Sequence, residues 1–144
     1  MKLTNKCFVF LSFVVLFTGC TSMVPKTFNN RIEPSWSIIE IRDELTYDQA
    51  WEAIFNILSY NFDMKTTLKD EGYIQTAWSN IWLDNGSFIY KARTTVVFSD
   101  NRKQISIKIE TLVKTSTGGI IGSDFNETKA VKFDIMGVVG RVSK

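Results

Sequence analysis

"TYDQAWEAIFNILSYNFDMKTTL", Thr46 to Leu68, changes its hydrophobic period partway along, and that change decides the fold. In its first part Tyr47, Ala50, Trp51, Ile54, Ile57 and Leu58 recur at helical spacing, opposite Glu52 and Asn56. Thr46 offers a hydroxyl to the free amides of a first turn, and Gln49 three residues later completes a capping box. Leu45 and Ala50 are placed for a hydrophobic staple across that start. This part predicts an amphipathic helix. From Phe62 the period is two: Phe62, Met64, Thr66 and Leu68 alternate with Asp63, Lys65, Thr67 and Lys69. Alternation of that kind predicts a strand with one buried face.

Downstream the period of two persists. "KDEG", ending at Gly72, predicts a turn, and Tyr73 to Leu83 an extended run with Ile74, Thr76, Trp78 and Trp82 on one face. Asp84-Asn85-Gly86-Ser87 is a hairpin signal, because Asn-Gly accepts the positive φ of a tight turn. Phe88, Tyr90, Ala92, Thr94, Val96 and Phe98 line the next strand, and Ile105, Ile107, Ile109, Thr111 and Val113 the last. Connections this short make the strands antiparallel. Lys114 to Asp124 reads as a Gly/Ser/Thr-rich mobile loop. Beyond it Val131, Ile135, Val138 and Val142 predict a second helix, with Asn126 as its cap, although Gly137 and Gly140 each weaken it by about 1 kcal/mol. Upstream, Ile38 to Ile41 predicts a first strand. The expected order is β-α-β-β-β-β-α, an α+β fold with both helices packed on one face of an antiparallel sheet.

The chain opens MKLTNKCFVFLSFVVLFTGC. A basic head (Lys2, Lys6), an apolar run from Cys7 to Phe17 and a small-residue exit at Thr18-Gly19 are the features of a secretory leader. The run is shorter than the about 20 residues a spanning helix requires. "FTGC" resembles the lipobox of bacterial lipoproteins, with Phe17 where leucine is usual. The resemblance implies removal of residues 1–19 and acylation of Cys20, which would tie the chain to a membrane by more than one fatty chain. Thr21 rather than aspartate after the cysteine implies the outer membrane, facing the periplasm. Residues 20–35 hold both prolines, Pro25 and Pro34, and read as a flexible tether spanning about 20 Å. Residues 36–144 then form a single domain.

Without residues 1–19 the chain keeps 15 basic and 15 acidic residues, so its net charge makes no electrostatic case for nucleic acid or for an anionic membrane surface. Histidine is absent, and once Cys20 carries lipid no free thiol is left. Ser-His-Asp and Cys-His catalysis, and zinc sites built on His or Cys, therefore have no side chains to use. No cofactor, metal or catalytic residue is expected. Asp70 and Glu71 adjoin in a turn, and "TGGIIGS" (117–123) lacks the Lys-Ser/Thr of a phosphate loop. Trp51 and Trp78 read as core partners across the helix–sheet interface. The candidates for partner binding are the hairpin tip, Ile81, Trp82 and Leu83, and the loop residues Ile120 and Ile121. Tryptophan is a favoured interface anchor, although Trp82, in register with Ile74 and Trp78, also reads as an extension of the buried face, and isoleucines exposed on a loop can meet a partner or lipid.

"TYDQAWEAIFNIL", "FDMKTTLKDEGYIQTAW", "IYKARTTVVF" and "KQISIKIETLV" resemble the repeated domains of the C component of the outer-membrane β-barrel assembly machinery, and related periplasmic lipoproteins. The shared features are Ala50-Trp51 on the helix, the acidic turn Asp70-Glu71-Gly72, and Ile74, Thr76 and Trp78 on the strand after it. The resemblance covers about residues 40–142, one copy of a domain that component carries twice. It implies a helix-grip-like fold and an accessory, non-catalytic role, and it transfers no catalytic residue. Two functions follow as expectations. One is a lipid-anchored envelope module that docks another envelope protein. The other is a module holding a small apolar or cell-wall ligand in the groove between helix and sheet.

Overall fold

A computed structural model describes residues 24, 26–82, 88–115 and 118–141 of the chain. The capping box forms at the predicted place: Gln49 N donates to Thr46 Oγ1 at 3.3 Å and Thr46 N to Gln49 Oε1 at 2.9 Å. It starts helix α1, Tyr47–Asn61, whose Ala50, Trp51, Ile54 and Leu58 are buried. The helix ends at Phe62, whose extended backbone carries the chain into the sheet.

The described strands are β1 (Phe28–Asn29), β2 (Ser37–Glu40), β3 (Met64–Leu68), β4 (Tyr73–Thr76), β5 (Ser79–Trp82), β6 (Phe88–Phe98), β7 (Gln104–Thr115) and β8 (Gly118–Asp124), followed by helix α2 (Phe125–Val139). All pair antiparallel in the order β1-β8-β7-β6-β4-β3, with β2 also on β7 and β5 also on β6. The long strands β6 and β7 form the spine. β7 holds β2 along its first half and β8 along its second, while β6 holds β4 and β5 in the same divided manner. The class is mixed α+β with an antiparallel sheet, and sheet predominates.

Alternation along the spine builds one core. Ile105, Ile107 and Ile109 of β7 and Val96 and Phe98 of β6 join Trp51, Ile54 and Leu58 of α1 and Val131, Ile135 and Val139 of α2. Ile54 is wholly buried, and truncating such a side chain to alanine costs about 2–5 kcal/mol. Tyr47, Trp51 and Phe98 close one end, Tyr47 meeting Phe98 edge-on at 5.1 Å between ring centroids.

Several expectations are corrected. The run Lys114–Asp124 is no loop: Gly118–Asp124 form β8. Its glycines permit close approach, since a β-carbon on Gly122 would lie 2.6 Å from the Asn29 carbonyl oxygen and 2.8 Å from the Phe28 ring. Residues 20–35, expected as a tether, contain β1, which pairs Phe28 with Asp124 and Asn29 with Ser123. The cap of α2 is Asp124, not Asn126; its carboxylate accepts from Asn126 N and Glu127 N, both at 3.0 Å. On that helix Val131 and Ile135 are buried as expected, Val139 joins them, and Val142 lies outside the described residues.

The predicted strand 73–83 is two strands, and the break between them changes which face each residue takes. Ile74 pairs with Val96 on the core side, yet beyond Ala77-Trp78 it is Ser79 that pairs with core-side Ala92. The odd-numbered spacing between Thr76 and Ser79 reverses the pleat. Buried Thr76 sustains the hydrogen bonding at the break, its hydroxyl accepting from Thr94 N and donating to Ala77 O, each at 3.0 Å. Trp78 is therefore not the core partner of Trp51. It stacks on Arg93, whose strand partner is Glu110 on the side of the sheet away from the core.

Candidate functional site

The period that buries Ile105, Ile107 and Ile109 turns Ser106, Lys108, Glu110 and Leu112 of β7 to the other face. Registered beside them on β6 are Val97, Thr95, Arg93 and Lys91. Arg93 donates from Nε and Nη2 to Glu110 Oε2, at 2.9 and 2.7 Å. Their side chains are only 20% and 11% exposed, so the pair is largely withdrawn from water. Trp78 lies across the Arg93 guanidinium at 4.6 Å. On the other flank Lys108 Nζ stands 3.8 Å from Glu110 Oε1 and 5.2 Å from the Trp36 ring centre. The result is a ladder across the outer face: Trp78, Arg93, Glu110, Lys108, Trp36. The two aromatic rings shield charges that would otherwise be well solvated.

An apolar band runs along the same face. Ile32, Trp36, Ile38 and Ile121 are 54%, 48%, 66% and 50% exposed. Trp36 and Ile38 line one shallow groove with Val97 and Ser106. Ile32, Pro34 and Ile121 line a second with Lys108 and Glu110. Lys108, under Trp36, joins the two.

Of the predicted binding residues, Ile121 belongs to this band. Ile120, its neighbour on β8, is also exposed but pairs with buried Val113 and so points to the opposite side. Ile81 is half-buried and registers with buried Tyr90. Trp82 is placed by its backbone pairing with Phe88, while Leu83 and Cys20 lie outside the described residues. Among the described side chains of these candidates, Ile121 faces the outer band, whereas Ile81 and Ile120 register with buried Tyr90 and Val113. Trp36, Ile38 and Ile32 were not found by sequence reasoning. Ile32 and Trp36 flank Pro34 beside a stretch without period, Ile38 reads from sequence only as part of a first strand, and the crossing of residues 30–36 over the sheet brings Ile32 to Ile121.

A second surface lies on α2. Phe125, Phe133 and Met136 are 66%, 58% and 38% exposed and line a groove of about 380 Å³ with Thr128, Lys129 and Lys132. Lys129 Nζ stands 5.6 Å from the centre of the Phe133 ring. At the start of α2, Asp124 is fully buried and also accepts from Thr27 Oγ1 at 2.6 Å. Burial, then the charge of Asp124, raises the pKa of Glu127, and the same two influences together with Glu127 itself raise that of Tyr90. These groups cap a helix and pin β1. Among the described residues no helix is long and apolar enough to cross a membrane. Compared with known proteins, the chain matches no family model, and no curated protein matches it.

Proposed function

We propose that the chain is a lipid-anchored protein of the bacterial envelope, held at the periplasmic side of the outer membrane through Cys20 after removal of residues 1–19, and that it docks another envelope protein without catalysing a reaction. The leader's basic head, short apolar run and terminal cysteine support the anchor. The observation that carries the docking role is the apolar band of Ile32, Trp36, Ile38 and Ile121. Single exposed apolar residues are ordinary, whereas contiguous ones with a polar rim mark interaction surfaces. Trp36 and the ladder beneath it give the band a rigid aromatic centre of the kind that dominates binding energy.

Within this reading the fold is helix-grip-like, with both helices over one side of the sheet, and akin to the repeated domains named above. The single core shared by α1, α2, β6 and β7 supports it. The competing reading, a small apolar or cell-wall ligand between helix and sheet, has less in its favour. Trp51, Ile54, Leu58 and Phe98 are buried in that space and fill it.

A photo-crosslinking residue at position 36 or 121, introduced in intact cells, tests the docking role. A discrete crosslinked envelope protein is the expected result. Absence of any product from both positions, with acylated Cys20 seen by intact mass, overturns it. A bound small molecule in native mass spectra would turn the argument to the second reading.

A further inference from the structure

The exposed flank of α2 collects Phe125, Lys129, Lys132, Phe133 and Met136, side chains that serve no core. The helix buries Val131, Ile135 and Val139 on one side and still presents two phenylalanines and a methionine on another. Both charges on that flank are positive. The acidic residues of α2 are elsewhere: Asp134 lines a different groove with Asn56, Ile57 and Tyr60, and Glu127 lies toward Asp124. Aromatic and thioether side chains flanked by lysines match the layer where phospholipid headgroups meet acyl chains. The rings enter the apolar boundary there, while lysine stems lie along it and hold their ammonium groups at the phosphates.

The path of the chain ties this flank to the segment that follows Cys20. Thr27 is bound at the first turn of α2, its hydroxyl donating to Asp124 and its carbonyl accepting from Phe125 N at 3.3 Å. Cys20 lies seven residues earlier, so its Cα cannot be farther than about 25 Å from that of Thr27 even at full stretch. An anchor at Cys20 would therefore join the domain at β1 and the start of α2, at the sheet edge opposite β3.

We infer that the Phe125–Lys129–Lys132–Phe133–Met136 flank is a lipid-binding surface that lies on the bilayer in which Cys20 is anchored. It fixes the orientation of the domain there, with Phe133 and Met136 at the headgroup–acyl boundary and the two lysines on anionic headgroups. The inference rests on the lipoprotein reading and adds to it a site that reading does not require.

The test uses the acylated protein purified from membranes, with one added cysteine carrying a nitroxide at position 136 or, as a control, at position 65 on exposed β3. It is reconstituted in vesicles of phosphatidylethanolamine and phosphatidylglycerol. Collision with oxygen, which concentrates among acyl chains, is compared with collision with an aqueous nickel chelate. The oxygen-to-nickel ratio is expected to be several-fold higher at 136 than at 65. In Lys129→Glu/Lys132→Glu it should fall toward the control while circular dichroism is unchanged. Equal ratios at 136 and 65 in protein whose intact mass shows acyl chains would overturn the inference and leave the lipoprotein reading standing. Dipolar broadening between labels at 136 would overturn it too, in favour of a second copy of the chain on this flank. An unmodified Cys20 in the mass spectrum would remove the lipoprotein reading, and this inference with it.

Discussion

The guanidinium of Arg102 occupies the space that a β-carbon on Gly72 would need. Arg102, itself at φ 59°, donates from Nη2 to Asp70 O at 2.6 Å and from Nη1 to Glu71 O at 3.3 Å, and covers the Tyr47 ring at 4.8 Å. Gly72, at φ 72°, hands its carbonyl to Phe98 N at 2.8 Å. Tyr47 completes the junction by donating its hydroxyl to Lys69 O, beside the ion pair of Lys69 with Asp48 at 2.8 Å. The acidic turn, the β6–β7 turn and the start of α1 are thereby locked together.

Gly72→Ala should therefore cost about 2–4 kcal/mol, combining left-handed backbone strain with expulsion of the guanidinium. In an Arg102→Ala background the same change should cost less, the strain of about 1–2 kcal/mol together with the close contact of the new β-carbon with Phe98 Cβ at 2.9 Å. Denaturant melts of the four proteins of this cycle measure the coupling. Additive costs would mean that the two residues do not compete for this space.

The Arg93–Glu110 pair makes a second quantitative case. Arg93→Met keeps an apolar stem beneath Trp78 but leaves the Glu110 carboxylate, 11% exposed, with only the more distant Lys108. The expected loss is about 2–4 kcal/mol, below the full cost for a wholly buried pair because both groups retain some water. Arg93→Met/Glu110→Met should recover most of it, since the desolvated charges leave together. A double variant no more stable than the single would show that the ladder contributes more through its ion pair than through packing.

What was legible in the sequence depended on period and caps. Thr46 and Gln49 with the Ala50–Leu58 face gave α1, and strict alternation gave β6 and β7, because these signals are local and reinforce one another. The 73–83 run was misread because the side chain of Thr76 replaces part of the ladder and lets the pleat reverse, a substitution that residue spacing does not reveal. β8 was hidden by its own glycines: in composition they resemble a loop, and their use, close passage of Phe28 and Asn29, depends on residues nearly a hundred positions away. The outer-face site shares that property. Ile121 could be named from sequence, but its companions Ile32 and Trp36 reach it only through the crossing of residues 30–36.

Gly122→Ala isolates that crossing. The added methyl would meet the Asn29 carbonyl and the Phe28 ring, both within 3 Å, so β1 should be pushed off β8 while β7 and β8 remain paired. Faster proteolytic cleavage between residues 26 and 36 is expected, with a loss in global stability of about 1–2 kcal/mol, since mainly the Thr27–Asp124 and β1 hydrogen bonds are given up. Unchanged cleavage would show that β1 can shift without detaching. If the apolar band docks a partner, the same substitution should also weaken crosslinking from position 121, because Ile32 and Pro34 leave its side.

Glu127 sets the pH response at the start of α2. A helix N-terminus favours negative charge, but the Asp124 carboxylate already accepts both Asn126 N and Glu127 N there. A second carboxylate nearby meets burial first and the like charge of Asp124 next, and its pKa is raised. The folded chain therefore holds the Glu127 proton more tightly than the unfolded chain does. The stability this contributes is fully present below the unfolded carboxylate range, and it is lost as pH rises through the raised folded value. At neutral pH the ionised side chain is a cost that glutamine avoids. Glu127→Gln should melt above the parent near pH 7, and the gap should close below about pH 4, where both states of the parent are protonated. Thermal melts across that range check the prediction. A constant difference at all pH values would assign the effect to packing, and a lower melting temperature at neutral pH would show that the helix terminus outweighs burial and the neighbouring charge.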